Sequence, residues 1–147
     1  MKARNVRDQI VLATKFTTCF PDPTSKDVPR QKINYAGNST KSLHVSLEAS
    51  LKKLQTDYID VLYLHWWDFT TGIPEVMQSL NHMVQRGKVL YLGVSDTPAW
   101  VVSKANQCKS SFTAMCKNKL TIARCPRPRP PYLQRLPRSM VRRPARL

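Results

Sequence analysis

The chain has 147 residues, 24 Lys+Arg against 9 Asp+Glu, and a formal net charge of +15. That length suits one domain with a sizeable core, and no segment is long and apolar enough to span a bilayer. The charge is unevenly placed: residues 1–96 hold twelve of the basic residues and all nine acidic ones, whereas residues 97–147 hold the other twelve and no carboxylate. The basicity is thus a property of the last third and excludes no small-molecule function for the front part.

Three apolar runs rich in β-branched and aromatic residues, Gln9–Thr14, Ile59–Leu64 and Val89–Val94, predict short strands. Each is followed by a helical signature. In Thr40–Leu54 the residues Leu43, Leu47, Leu51 and Leu54 recur on one face, with Lys52 and Lys53 outward. Pro74 and Glu75 open a second helix that Gly87 stops, with Val76, Leu80, Met83 and Val84 inward. Thr97-Pro98 reads as a cap and first-turn proline leading into Ala99–Asn106.

Strands alternating with helices predict an α/β fold with a parallel sheet. No Gly-rich phosphate loop follows any strand, so the pattern favours part of a (β/α)₈ TIM barrel over a doubly wound sheet. About three βα units are present, whereas a whole barrel needs about 250 residues. Residues 1–107 read as this partial barrel. Residues 108–147, with Pro126, Pro128, Pro130, Pro131, Pro137 and Pro144 among many arginines, read as a disordered basic Pro/Arg-rich tail.

Cys19, Cys108, Cys116 and Cys125 form no C-x-x-C pair and have no zinc-like spacing, so free thiols and no metal site are expected. The only early apolar run, Ile10–Ala13, is too short for a secretory signal, and the expectation is a cytoplasmic protein.

In parallel sheets the chemistry collects at the carboxyl ends of the strands. Those ends carry Lys15, His65 and Ser95-Asp96. A partly desolvated Lys15 could lower the pKa of a neighbouring acid such as a tyrosine hydroxyl. A neutral His65 could orient a substrate carbonyl, and Ser95 with Asp96 could hold an amide. Plainer readings stand beside these: a solvated lysine, a packed histidine, and helix capping by the Ser95-Asp96-Thr97-Pro98 stretch. His44 and His82 fall on helices and read as surface or packing residues. Trp66 and Trp67 could line an aromatic pocket or fill the rim.

Three segments, Ile10–Phe16 (IVLATKF), Ser50–Asp68 (SLKKLQTDYIDVLYLHWWD) and Gly87–Trp100 (GKVLYLGVSDTPAW), together resemble the aldo-keto reductase superfamily over residues 6 to 107. Within it they look most like the fungal aryl-alcohol dehydrogenases and norsolorinic acid reductase-like enzymes. The resemblance implies a (β/α)₈ barrel and NADPH-dependent, reversible reduction of an aldehyde or ketone, aromatic ones included, to the alcohol, with no metal. It makes Lys15 and His65 the catalytic lysine and carbonyl-orienting histidine. Ser95 and Asp96 match the pair that holds the nicotinamide carboxamide of NADPH/NADP, where many relatives carry Asn in place of Asp96.

The family's aspartate and acid tyrosine lie upstream of the lysine strand, and none of Tyr35, Tyr58, Tyr63, Tyr91 or Tyr132 stands in the tyrosine motif. After Gln107 the chain leaves the family pattern, as a wrong reading frame or unspliced intron would make it do. The expectation is a fragment with no measurable reductase activity alone. Two other readings are a non-catalytic relic that associates with a complete reductase, and a nucleic-acid binder acting through Arg124–Arg146. The second is disfavoured because Tyr132 is that segment's only aromatic residue.

Overall fold

A computed structural model describes residues 4–21, 29–107 and 121–122. Strands β1 (Ala13–Phe16), β2 (Ile59–Leu64), β3 (Val89–Val94) and β4 (Thr121–Ile122) form one sheet in chain order, each neighbouring pair parallel. Parallel neighbours need a crossover element between them. Helix α1 (Thr40–Leu54) supplies it between β1 and β2, α2 (Ile73–Gln85) between β2 and β3, and α3 (Ala99–Gln107) follows β3. The architecture is the α/β succession of units expected from the sequence. Among the described residues no helix is long and apolar enough to cross a membrane.

The helices form where the sequence marks them. Ser39 caps α1, its hydroxyl accepting from the Ser42 amide at 3.3 Å, and Gln55 ends the helix in the left-handed region at φ 54°. Leu43, Leu47 and Leu51 are buried, and Leu54 packs against them. In α2, Pro74 and Glu75 occupy the first turn, Val76, Leu80 and Met83 are buried, and Gly87 leaves the helix at φ 68°. Full burial of a side chain such as Leu47 or Leu80 contributes roughly 1.5–3 kcal/mol.

The first strand departs from expectation. The run Gln9–Thr14 splits: Arg7–Gln9 is a 3-10 turn and pairing begins only near Leu12, whose carbonyl accepts from the Val61 amide at 3.0 Å. The cause is Arg7. Its guanidinium donates to Thr56 Oγ1 (2.8 Å), the Ile10 carbonyl (2.8 Å), the Tyr58 carbonyl (3.0 Å) and Asp60 Oδ2 (2.7 Å), and it stacks on the Tyr58 ring. This latch bends the chain before it enters the sheet. Lys15 is consequently inside β1 rather than just after it.

The sheet has two unlike faces. Phe16, Leu62, Leu64, Leu92 and Val94 are buried in the core that includes residues of all three helices. The register pairs Ala13 with Val61 and Tyr91, and Lys15 with Tyr63 and Gly93, which puts these residues together on the opposite face. There Ala13, Lys15 and Tyr91 are exposed, and Val61 and Tyr63 half-buried. In a closed barrel this face is the interior.

The tail expected over residues 108–147 lies outside the described residues except for Thr121–Ile122, which pairs with Gly93–Val94. Thr121 and Ile122 are both β-branched, which suits a strand.

Candidate active site at the strand ends

The ladder continues past the strands, and this is what gathers the polar residues. The His65 amide donates to the Phe16 carbonyl at 3.3 Å and the Ser95 amide to the Leu64 carbonyl at 2.9 Å. One step further, the Trp67 amide donates to the Asp96 carbonyl at 3.4 Å. His65 and Ser95 therefore sit at one level on adjoining strands. Lys15 lies two residues lower along β1, level with Tyr63.

The partial desolvation expected of Lys15 is not present. The lysine is exposed, and among the described residues no layer covers its face of β1 and no side-chain partner meets it. Tyr63, its register partner, turns its ring onto Gly93 on the next strand.

His65 is half-buried, and its Nδ1 is 3.1 Å from the Thr18 hydroxyl. The same hydroxyl accepts from the Trp66 indole Nε1 at 3.0 Å. The two tryptophans separate: Trp66 is exposed beside Thr18, whereas Trp67 is buried in the core cluster with residues of α2 and α3. Trp67 fills the rim, and Trp66 belongs to the mouth.

Ser95 and Asp96 do not cap α3. The Thr97 hydroxyl donates back to the Ser95 carbonyl at 2.7 Å, and the Pro98 carbonyl receives the Val101 and Val102 amides. Asp96 is exposed and left-handed at φ 37°, a region that Asp and Asn tolerate better than most residues. Among the described residues neither the Ser95 hydroxyl nor the Asp96 carboxylate has a side-chain hydrogen bond. A hydroxyl and a carboxylate side by side suit an amide, which needs one donor and one acceptor.

A second group of residues, given no role from sequence, fixes the loops that carry the site. Asn38 is buried in the β1–α1 loop; its Oδ1 accepts from the Asp68 amide (2.8 Å), and its Nδ2 donates to Thr17 Oγ1 and the Trp66 carbonyl (both 3.1 Å). Asp68 accepts from the Asn38 amide (2.7 Å), the Thr70 and Thr71 amides (3.0 Å each) and the Thr71 hydroxyl (2.8 Å). Burial pushes the Asp68 carboxyl up, but these donors outweigh it and hold it below the ordinary carboxylate value. Thr17, fully buried, is kept at φ 103°, a costly backbone for a β-branched residue, with its carbonyl accepting from the Gly37 amide at 2.7 Å. The sequence signal for this clamp is Asp68 followed by Thr70 and Thr71, the pattern of an Asx turn.

Cys19 is a free, exposed thiol, and the other three cysteines lie outside the described residues. Among the described residues no three His, Cys, Asp or Glu side chains group as they would around a metal ion.

Comparison with known proteins gives one consistent answer. The family model described as the aldo/keto reductase family matches residues 1–130. Norsolorinic acid reductase B of Dothistroma septosporum is 64% identical over 107 residues, covering 73% of this chain and 26% of the relative. Norsolorinic acid reductase of Aspergillus flavus is 61% identical over 106 residues, 72% of this chain and 26% of the relative. An NADP(+) aryl-alcohol dehydrogenase of Phanerodontia chrysosporium is 57% identical over 106 residues, 72% of this chain and 28% of the relative. The chain thus spans little more than a quarter of the length of these curated relatives.

Proposed function

The chain belongs to the aldo/keto reductase family, and on that premise we propose that it carries the carbonyl-orienting segment of an NADPH-dependent reductase for aldehydes or ketones, aromatic ones included. The observation that carries this reading is the meeting of His65 and Ser95 at one level of adjoining parallel strands, through the Ser95 amide on the Leu64 carbonyl at 2.9 Å. Lys15 stands on the same side of the sheet, below them.

The residues fit the nicotinamide end of the cofactor by their donor set. The Ser95 hydroxyl would donate to the carboxamide oxygen, and the Asp96 carboxylate would accept from its nitrogen. A reduced nicotinamide, when bound, supplies the hydride. His65 donates from Nε2 to the substrate carbonyl oxygen and orients it for that transfer. The Lys15 ammonium adds positive charge on the side where negative charge develops on that oxygen. No tyrosine of this chain stands in the family's acid motif, and Tyr63, level with Lys15, directs its ring to Gly93 instead. The proton donor of the reaction therefore has to come from outside residues 1–107.

The test is a chimera in which residues 6–107 replace the matching segment of a complete norsolorinic acid reductase. It reduces an aromatic aldehyde with NADPH, and Lys15→Met or His65→Gln lowers kcat by about 10²–10⁴-fold, the usual scale of a lost acid–base or orienting group. The purified 147-residue chain shows no NADPH oxidation under the same conditions. A folded chimera that binds NADPH but is indifferent to both substitutions defeats the assignment.

A further inference from the structure

We propose that Thr18 is a positioning residue for His65: together with Trp66 it holds the imidazole in the neutral tautomer whose proton is on Nε2. The proposal deepens the reading of His65 as the carbonyl-orienting group and rests on it for its functional meaning.

The argument is an accounting of protons. An indole N–H only donates, so at 3.0 Å from Trp66 Nε1 the Thr18 hydroxyl oxygen must accept. A threonine hydroxyl has one proton and two lone pairs, and one lone pair is now committed. His65 Nδ1 lies 3.1 Å away. If Nδ1 carried the imidazole proton, the hydroxyl would accept twice and, Thr18 being exposed, its own proton could go only to solvent. If Nδ1 is bare, the hydroxyl donates to it and every group is used.

Cooperativity selects the second arrangement. A hydroxyl that accepts one hydrogen bond becomes a better donor in the next, so the chain Trp66 N–H to Thr18 O–H to His65 Nδ1 reinforces itself. The partner of one ring nitrogen fixes the proton on the other. Nε2 is then the N–H, which is the form able to donate to a carbonyl oxygen. The opposite tautomer would present a lone pair to that oxygen and repel it.

All three side chains come from the strand-end segments. Thr18 is placed by the Asn38 clamp on its neighbour Thr17, and Trp66 by the Asn38 Nδ2 bond to its carbonyl. The relay is thus held by the same Asn38 clamp that fixes the two loops on either side of His65.

The experiment is a two-bond ¹H–¹⁵N correlation on the full chain labelled at histidine, recorded at alkaline pH where the neutral ring is observed, with His65 assigned by His65→Gln. The wild-type ring carries its proton on Nε2. Thr18→Val raises the Nδ1–H population by about fivefold, the factor expected for one net hydrogen bond. Thr18→Ser restores the wild-type spectrum, which a merely space-filling threonine would not require. Both Thr18 and Trp66 are exposed, and should Thr18→Val fail to fold, Trp66→Phe reads the same relay by removing its first donor. An Nδ1–H majority in the wild type, or a tautomer ratio unmoved by either variant, overturns the proposal. No substrate or cofactor enters this measurement, so its failure is distinct from failure of the reductase assignment, which the chimera tests.

Discussion

The ring of Tyr63 lies over the α-carbon of Gly93: a methyl built on Gly93 would overlap the tyrosine Cδ1 and Cε1 and come within 3.0 Å of Cζ. The register pairs these residues on β2 and β3, so the contact is lateral, within one face of the sheet. Gly93 serves by lacking a side chain, and the tyrosine fills the space.

Gly93→Ala therefore forces the Tyr63 ring off its seat, and overpacking of this kind costs about 1–3 kcal/mol. Tyr63 is only half-buried, so the ring has somewhere to go and the cost falls toward the lower end. Urea denaturation of the four members of a cycle with Tyr63→Ala measures the coupling. Gly93→Ala made in the Tyr63→Ala background is expected to be nearly neutral, and equal costs in both backgrounds would show that the contact is not the reason.

Asn38 and Asp68 form a reciprocal pair, each accepting from the other's backbone amide. Asn38→Asp removes the Nδ2 donor to Thr17 and the Trp66 carbonyl and sets a second carboxylate against Asp68. A buried charge without a partner is among the few causes of large destabilisation, and about 3 kcal/mol or more is expected. Asp68→Ala leaves four donors unsatisfied and should cost about as much. Because the two residues share one network, the double variant costs much less than the sum. Strict additivity in thermal or urea unfolding would refute the shared network.

Much of this fold was legible in the sequence because its signals are local. The leucine spacing of α1, Pro74 with Glu75 at α2 and the apolar runs of β2 and β3 each act within a few residues of themselves. The start of β1 was not legible, since Arg7 bends the chain through partners about fifty residues away at Thr56, Tyr58 and Asp60. The site divides in the same way. Lys15, His65, Ser95 and Asp96 stand out by following or ending apolar runs, whereas Thr18 and Asn38 look like ordinary loop residues. Their significance comes from contacts with residues 65–68, which only the folded chain brings near.

The acid limb of stability follows from three carboxyls held below their ordinary values. For Glu48 the hydrogen bond from Lys88 is the main cause. For Asp60 burial pushes upward, and the Leu12 amide and Arg7 outweigh it. For Asp68 burial is likewise outweighed, by the amides of Asn38, Thr71 and Thr70 and the Thr71 hydroxyl. A carboxyl depressed in the fold contributes stability that is fully present above its unfolded pKa, about 4, and is lost as pH falls through that value toward the folded one. Unfolding free energy should therefore drop as pH is lowered from about 5 toward 3. Asp68→Asn flattens that slope. Glu48→Gln changes it little, because Glu48 and Lys88 are both partly exposed and pairs open to solvent are worth little. A wild-type slope of the opposite sign would contradict the assignment of these groups.

The Arg7 latch separates charge from geometry. Its guanidinium reaches Thr56, Ile10, Tyr58 and Asp60 together while stacking on the Tyr58 ring. Lysine keeps the charge but has no planar fork and cannot satisfy these acceptors at once. Arg7→Lys should therefore recover little of the stability lost in Arg7→Ala, each costing about 1–3 kcal/mol. The loss is expected at the start of β1, where the Leu12 amide also donates to Asp60 Oδ2 at 2.8 Å. Amide hydrogen exchange of Leu12 and of Val61, whose amide donates to the Leu12 carbonyl, should accelerate in both variants, and exchange in α2 should not unless global stability limits it. Full recovery of protection by lysine would show that the positive charge alone closes this end of the sheet.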